Sequence, residues 1–275
     1  MKVKSIWRYP FKSMGGEQLN EVALAASGLP GDRAYALRDG GITRNAKKYP
    51  ALMAMTSWYD DGDTARAPLV ELEDGRRFSA TDPALEPAIA DVIGAELKVS
   101  GLAPAQDEEF YRRREQRSPE EARATFGLED GEPFPDLSFL PPRVMEFATP
   151  PGTFFDCYPL LVMTTSSLRA LQQLAPASMI DVRRFRPNIL IDTDDEGFIE
   201  QQWLGSKLMI GDAVISLEVP CPRCVMTTVG FHDLPKDPKV MRSLVQHCGQ
   251  NLGVYAEVEQ PGAICVGDEA RIEPR

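Results

Sequence analysis

Proline and glycine interrupt this sequence so often that long helices have little room to form. Together the 23 prolines and 21 glycines make up about a sixth of the 275 residues, which is high for a helical bundle and typical of a fold with short strands and many turns. Hydrophobic residues make up 43% of the chain, enough for a real core. The sequence therefore predicts a mainly β protein with some helices, of the α+β class.

A charged stretch divides the chain into two parts. Residues 106–123 are dominated by charge, and clusters of proline, glycine and acidic residues follow them. Such a composition is typical of a connector, with a short helix expected at 119–125. We expect a β-rich N-terminal domain at residues 1–100, a charged and proline-rich connector at 101–152, and a second domain at 153–275.

Net charge and hydropathy exclude two classes of partner. The formal net charge is −11, and a surface of carboxylates repels the phosphates of nucleic acids. The sequence contains no run of about 18 apolar residues, so no membrane span is expected. The first residues lack the apolar centre of a signal peptide, and the odd number of cysteines does not suit a secreted disulfide framework. These features predict a cytoplasmic protein.

A turn with two cysteines is the strongest local signal. Cys221 and Cys224 are two residues apart, and Pro220 and Pro222 stiffen the chain around them. The apolar residues on both sides predict two strands, with the prolines keeping the turn out of a sheet ladder. Four interpretations are open: a thiol–disulfide pair, a zinc site, two buried structural cysteines, or one thiolate bound to a soft metal that brings its own other ligands.

Basic residues and hydroxyls in turns suggest an anion site. Lys12 and Ser13 lie in a glycine-rich turn, and three arginines occur within residues 183–186. Guanidinium groups are suited to phosphate or carboxylate, and strand-like alternation would place Arg184 and Arg186 on one side. The hydroxyl-rich segment 164–167 precedes an apolar helix pattern, so it predicts a helix N-terminus, where an anion is also favoured. A second helix is expected at 238–248, with Asp237 as its N-cap.

These residues together resemble the MOSC superfamily, named after the molybdenum cofactor sulfurase C-terminal domain. The subgroup they resemble carries an additional N-terminal β-barrel domain and includes the mitochondrial amidoxime-reducing component and bacterial relatives. The resemblance rests on motifs along nearly the whole chain, namely Tyr9-Pro-Phe-Lys12-Ser13, Gly31-Asp-Arg33, Thr43-Arg44, Thr164-Thr-Ser-Ser-Leu168, Phe185-Arg-Pro-Asn188, Ile210-Gly-Asp212, the Cys-x-x-Cys-x-x-Thr-Thr run, and Pro261-Gly with Val266-Gly-Asp268.

The resemblance implies a β-rich N-terminal domain packed on a MOSC-type β-barrel, with a molybdenum–molybdopterin cofactor between the two parts. It implies that Cys224 is the molybdenum ligand and the catalytic cysteine, and that Cys221 is not the ligand. It assigns the pterin and its phosphate to the following residues: Lys12, Ser13, Arg33, Arg44, Thr164, Thr165, Ser166, Ser167, Arg184, Arg186, Asn188 and Thr227.

The activity implied is the reduction of small N-hydroxylated compounds. Because the sequence contains no Cys-x4-Cys-x2-Cys run, electrons are expected from a separate flavin, haem or iron–sulfur protein. Two other functions are open. One is a cofactor carrier or sulfur-transfer module with a persulfide on Cys224, and the other is a zinc-stabilised binding domain.

Overall fold

A computed structural model describes residues 1–274 and confirms the predicted mixed α+β class. The helices in this range are α1 Leu85–Ile93, α2 Glu108–Tyr111, α3 Pro119–Phe126, α4 Arg143–Glu146, α5 Thr165–Leu174 and α6 Pro238–His247. The strands are β1 Lys2–Arg8, β2 Glu17–Leu19, β3 Glu21–Leu24, β4 Tyr35–Asp39, β5 Ile42–Thr43, β6 Thr56–Trp58, β7 Leu69–Glu71, β8 Arg77–Ser79, β9 Lys98–Gly101, β10 Leu160–Thr164, β11 Ile189–Asp192, β12 Lys207–Ile210, β13 Ala213–Pro222, β14 Asn251–Gln260, β15 Gly262–Cys265 and β16 Ala270–Glu273.

The largest sheet contains strands from both ends of the chain. Its eight strands follow the order β16-β12-β13-β14-β10-β11-β1-β2. Strand β1 pairs antiparallel with β11, where Ile6 lies opposite Ile189, and the side chains of both residues are fully buried. Burial of this apolar face inserts the first strand of the chain into a sheet made otherwise mostly of C-terminal strands.

The expected barrel does not close as a continuous ladder in the described part of the chain. The eight-stranded sheet ends at β16 on one side and at β2 on the other. An isolated bridge between Lys2 and Glu269, with the Val3 nitrogen 2.9 Å from the Asp268 oxygen, connects the two sides across the gap. Strand β2 pairs only with Ile6, Trp7 and Arg8, so only the first residues of β1 are left to contact the segment before β16.

A second hydrophobic core packs against the smaller sheets of the N-terminal part. These sheets have the orders β5-β4-β9 and β6-β7-β8, and β3 pairs separately with β15. Phe11, Met14 and Leu52 are fully buried there, and Phe231 and Leu234 from the C-terminal part pack into the same cluster. Apolar burial therefore joins the two parts of the chain.

The charged connector forms ordered contacts with both parts. The expected short helix is present as α3, which Ser118 and Glu121 begin with a reciprocal capping box. Glu132 of the connector contacts the C-terminal part, because it accepts a hydrogen bond from Arg242 in α6 with an Nη2–Oε1 distance of 2.5 Å. Glu115 of the connector contacts the N-terminal part, because it accepts a hydrogen bond from Arg44 at 2.8 Å. The domain boundaries at 100 and 152 stay a prediction.

The structure corrects the strand pattern expected around the cysteines. Strand β13 continues through both prolines as far as Pro222, with irregular pairing to β14 after Leu217 and again after Pro220. These irregularities accommodate residues that cannot donate a ladder hydrogen bond. After Cys224 the chain forms a short 3-10 helix, Val225–Thr228, where a strand was expected.

Local hydroxyl groups explain that 3-10 helix. The Thr227 hydroxyl donates to the Cys224 carbonyl at 3.1 Å, and the Thr228 hydroxyl donates to the Val225 carbonyl at 2.7 Å. Such bonds to a carbonyl three residues earlier stabilise a tight turn against a strand. The β-branched side chains that suggested a strand therefore stabilise a turn.

Candidate functional site

One cavity collects chemistry-bearing residues from both parts of the chain. Its volume is about 100 Å³, several times the roughly 10–15 Å³ that a single water requires. The residues that line it are Lys12, Ser13, Arg33, Asn45, Lys47, Phe154, Phe155, Asp156, Tyr158, Leu161, Arg184, Phe185, Arg186, Asn188, Cys221, Pro222, Arg223, Cys224, Met226, Thr227 and Tyr255.

The lining is cationic although the chain is acidic. It contains six lysine or arginine side chains and one carboxylate, that of Asp156, in a protein with a net charge of −11. Cations that share a cavity repel one another, so the arrangement favours an anionic occupant. The cavity is thus a candidate anion-binding site with a thiol at its wall.

The two cysteines of the turn have different environments. Cys224 is partly exposed and precedes the 3-10 helix Val225–Thr228, whereas Cys221 is buried in β13 with 1% of its surface exposed. Burial raises the pKa of Cys221, so this thiol stays protonated near neutral pH. The structure therefore separates the pair into one accessible and one enclosed sulfur.

Lys12 and Ser13 reach the cavity from the turn after β1. The Lys12 ammonium is buried and donates to the Phe154 carbonyl at 2.9 Å and to Asp156 at 2.6 Å. Burial lowers the pKa of Lys12, and Asp156 opposes that effect. Ser13 uses its hydroxyl oxygen to accept a hydrogen bond from the Ala46 nitrogen at 3.1 Å.

Arg33 and Arg186 meet at the ring of Tyr9. Their guanidinium carbons lie 4.4 and 4.3 Å from the centre of that ring, within the range of cation–π attraction. Burial, followed by repulsion from Arg33, lowers the pKa of Arg186 to about 10, so Arg186 stays charged at neutral pH. An aromatic face thus holds two like charges close together.

Strained backbone coincides with these residues. Ser13, Arg33 and Arg186 have φ angles of 71°, 48° and 56°. These values lie in the left-handed region, which residues other than glycine adopt at a cost of roughly 1–2 kcal/mol. Each supplies a side chain to the cavity lining. The surrounding contacts must therefore offset this strain, as is common where a site is preorganised.

Arg184, Asn188 and Thr227 line the cavity but are already engaged by protein atoms. Arg184 donates to the carbonyls of Met179, Thr227, Val229 and Pro235 at 2.8–3.3 Å. Asn188 donates to Asp32 and to the Trp7 carbonyl, and accepts from the Leu161 nitrogen. These residues hold the loops of the cavity in place. The expected alternation of Arg184 and Arg186 is replaced by a 3-10 turn at Val182–Arg184.

The hydroxyl-rich helix start lies away from the cavity. Thr164 caps α5 as predicted, with its side chain accepting from the Ser167 nitrogen. The buried Glu200 carboxylate accepts from the hydroxyls of Thr164 and Ser167 at 2.7 and 2.5 Å. A carboxyl group does occupy this helix start, and it belongs to the protein itself.

Three more predicted residues have partners outside the cavity. Thr165 donates to Asp192 at 3.0 Å, and Ser166 donates to the Gly197 carbonyl at 2.9 Å. Arg44 donates to Asp39 and Glu115 at 2.7 and 2.8 Å. With Thr164 and Ser167, these residues are absent from the lining of the described cavity.

Sequence reasoning missed several lining residues, notably Asn45, Lys47, Asp156, Arg223 and Tyr255. Arg223 stands between the cysteines, so its place in the turn was a usable signal. Asp156 and Tyr255 have no local pattern that distinguishes them from other acidic or aromatic residues near strands. Only the pairing of β13 with β14 brings Tyr255 opposite the cysteine turn, with Tyr255 aligned to Val219.

Comparisons with known proteins agree on one family. Two family descriptions match, the MOSC domain at residues 149–271 and the MOSC N-terminal beta barrel domain at residues 1–88. Mitochondrial amidoxime reducing component 2 of Macaca fascicularis is 34% identical over 41% of this chain and 36% of that protein, so this match spans only about a third of the relative.

Longer matches have lower identity. Mitochondrial amidoxime reducing component 2 of Bos taurus is 25% identical over 97% of this chain and 81% of that protein. Mitochondrial amidoxime-reducing component 1 of Mus musculus is 26% identical over 97% of this chain and 80% of that protein. Among solved structures, the YUAD protein from Bacillus subtilis covers 100% of this chain and 96% of its own, with 12% identity and a TM-score of 0.45. By its two family matches, the chain belongs to the MOSC family and carries the MOSC N-terminal beta barrel region.

Proposed function

We propose that this chain is a molybdenum-cofactor-dependent oxidoreductase that reduces N-hydroxylated compounds. The observation that carries the proposal is the accessible Cys224 at the wall of a cavity lined by six cationic side chains. A soft sulfur ligand beside concentrated positive charge suits an anionic pterin that carries a soft metal. The names of the relatives, which describe amidoxime reduction, support the same activity.

The donor set agrees with a metal that brings most of its own ligands. Among residues 1–274, no group of three or more histidine, cysteine, aspartate or glutamate side chains is arranged to hold a metal ion. A structural zinc site needs about four such ligands, so the zinc alternative has no ligand set in this range. A pterin-bound molybdenum centre would need only the one thiolate of Cys224.

When bound, the cofactor would supply the two-electron chemistry that removes oxygen from an N–OH group. Cys224 would hold the metal, and Lys12, Arg33 and Arg186 would balance the negative charge of the pterin phosphate. Arg184 and Asn188 would keep the surrounding loops in position through the contacts described above. Thr227 would fix the Cys224 backbone through its bond to the Cys224 carbonyl.

Asp156 is not suited to act as a proton donor near neutral pH. Although the side chain is 72% exposed, the protein packed around it would raise the pKa of this carboxyl, but the positive charges of Lys12 and Lys47 outweigh that effect and hold the pKa well below its usual range. The carboxylate therefore accepts hydrogen bonds, as it does from Lys12. The proton required by the reduction would come from another group or from solvent.

Electrons would come from a separate flavin, haem or iron–sulfur protein, and the substrate would be a small molecule. Among residues 1–274, no helix combines the length and apolar character needed to cross a membrane. The cytoplasmic location stays a prediction, and the named relatives are described as mitochondrial.

Metal analysis of the protein made in a host that synthesises the cofactor tests the proposal. The wild type should contain stoichiometric molybdenum and reduce benzamidoxime with an artificial reductant, and Cys224→Ser should lose most of both. Cys265→Ser is a matched control, because Cys265 is another partly exposed free cysteine but lies in β15, outside the cavity.

Wild-type protein without molybdenum from such a host would contradict the proposal. A cyanide-labile sulfur on Cys224, together with no benzamidoxime reduction by any donor, would instead support the sulfur-transfer alternative.

A further inference from the structure

A lysine and an aspartate form the one ion pair between an ammonium and a carboxylate that both line the described cavity. Lys12 Nζ lies 2.6 Å from Asp156 Oδ1, and the two residues are 144 positions apart in the chain. Their environments differ greatly: the Lys12 side chain is 8% exposed and the Asp156 side chain is 72% exposed. The pair thus joins an enclosed cation to an accessible anion.

Asp156 places its carboxylate among the cations of the cavity. It is the one carboxylate among the lining residues, and the charges of Lys12, Lys47 and Arg33 all stabilise its ionised form. A buried ammonium needs a counter-charge or hydrogen-bond acceptors, because burying a lone charge is costly. Asp156 meets this need without any other molecule.

The carboxylate can be exchanged for another anion at little cost. Ion pairs with an exposed partner contribute little net free energy, because water competes for the carboxylate. Lys12 would retain the Phe154 carbonyl at 2.9 Å. Residues 153–159 belong to no helix or strand, whereas Phe154 is fully buried, so the carboxylate can turn away while the backbone stays anchored.

We propose that the Asp156 carboxylate is the resident anion of this cavity and that an anionic ligand binds by displacing it from the Lys12 ammonium. Asp156 then weakens the binding of every anion that uses Lys12, and only ligands with further contacts to the arginines overcome the competition. This property does not depend on molybdenum, so it can hold or fail separately from the reductase activity.

Binding of inorganic phosphate to the full-length chain, made in a host without the cofactor, tests the proposal by titration calorimetry. Asp156→Asn keeps the size of the side chain and removes its charge, and it should bind phosphate about two- to fivefold more tightly than the wild type. Glu86→Gln is the matched control, because Glu86 pairs with Lys98 at 2.8 Å outside the cavity. This variant should bind phosphate as the wild type does.

A double-mutant cycle assigns the effect to Lys12. In a Lys12→Met background, Asp156→Asn should change phosphate affinity by much less than in the wild type. Circular dichroism checks the fold of each variant, and Asp156→Ser replaces Asp156→Asn if the latter does not fold. Equal or weaker phosphate binding by the neutral variants, an undiminished effect in the Lys12→Met background, or no phosphate binding by any of the proteins would overturn the proposal.

Discussion

The Nη1 atom of Arg223 lies 3.0 Å from the Sγ atom of Cys221 and donates a hydrogen bond to it. The same guanidinium donates through Nη2 to the Phe185 carbonyl at 2.5 Å. Arg223 therefore links the cysteine turn to the residue that precedes Arg186. Cys221 contributes an enclosed acceptor for this link, so its role differs from that of Cys224 although the two belong to one sequence motif.

Replacing Cys221 should test this accepting role. In Cys221→Ala, the Arg223 Nη1 atom loses its acceptor beside an Nε atom that is already buried without a partner. We expect a loss of about 1–3 kcal/mol in the free energy of unfolding, measured by urea denaturation. Cys221→Ser should lose less, because a hydroxyl can also accept. Equal losses for both variants would contradict the assigned role.

Among the cationic residues of the cavity, Arg184 should be the one whose replacement lowers the stability of the protein most. Its side chain is 1% exposed and donates to four carbonyls that belong to three separate segments of the chain. Arg184→Met should lower the free energy of unfolding by roughly 3 kcal/mol or more, because buried carbonyls lose their donors. Arg66→Met is the comparison, since the Arg66 side chain is 76% exposed, and it should change stability little. A small loss in Arg184→Met would show that these carbonyls find other donors.

The aromatic ring of Tyr9 should contribute more to stability and to molybdenum content than the hydroxyl of this residue does. Tyr9→Phe removes only a hydrogen bond of 3.1 Å to the Pro187 carbonyl and keeps the face shared by Arg33 and Arg186. We expect a loss of about 1 kcal/mol for this variant and roughly 3–5 kcal/mol for Tyr9→Leu, which removes the aromatic face. Molybdenum content should fall in Tyr9→Leu alone. Similar metal content in both variants would argue against a role for the ring in holding the arginines.

Glu200 should make stability fall as pH rises. Burial raises the pKa of this carboxyl in the folded protein, and the hydrogen bonds from Ser167 and Thr164 only partly oppose that effect. Between its ordinary pKa and the raised value, the folded state therefore binds more protons than the unfolded state, so this group's contribution to stability declines with increasing pH. The Glu200→Gln variant carries no ionisable group at this position, so it should lack this pH-dependent contribution to stability.

Urea denaturation of wild type and Glu200→Gln over a pH series measures the difference. The wild type should lose stability relative to the variant from about pH 4.3, the ordinary glutamate value, up to the raised pKa, and the difference should be constant above it. A difference that does not vary with pH would show that the pKa of Glu200 is not raised.

Local sequence determined the elements whose stabilising bonds lie within a few residues. Ser118 and Glu121 specify the start of α3, Thr164 caps α5, and Asp237 with Pro238 begins α6, because a cap needs only the backbone of the next turn. The mixed α+β class followed similarly from the frequency of proline and glycine. The motif alone marked Cys221 and Cys224 as a pair, and the resemblance to the MOSC superfamily then singled out Cys224.

Tertiary structure decided the rest, since the decisive contacts join distant positions. Lys12 meets Asp156, and Glu200 takes the helix start of α5 that a ligand anion was expected to occupy. The strand predicted after Cys224 became a 3-10 helix because threonine hydroxyls and Arg184 satisfy its carbonyls. A local pattern records which groups a residue carries, but only the folded chain determines which distant partners satisfy them.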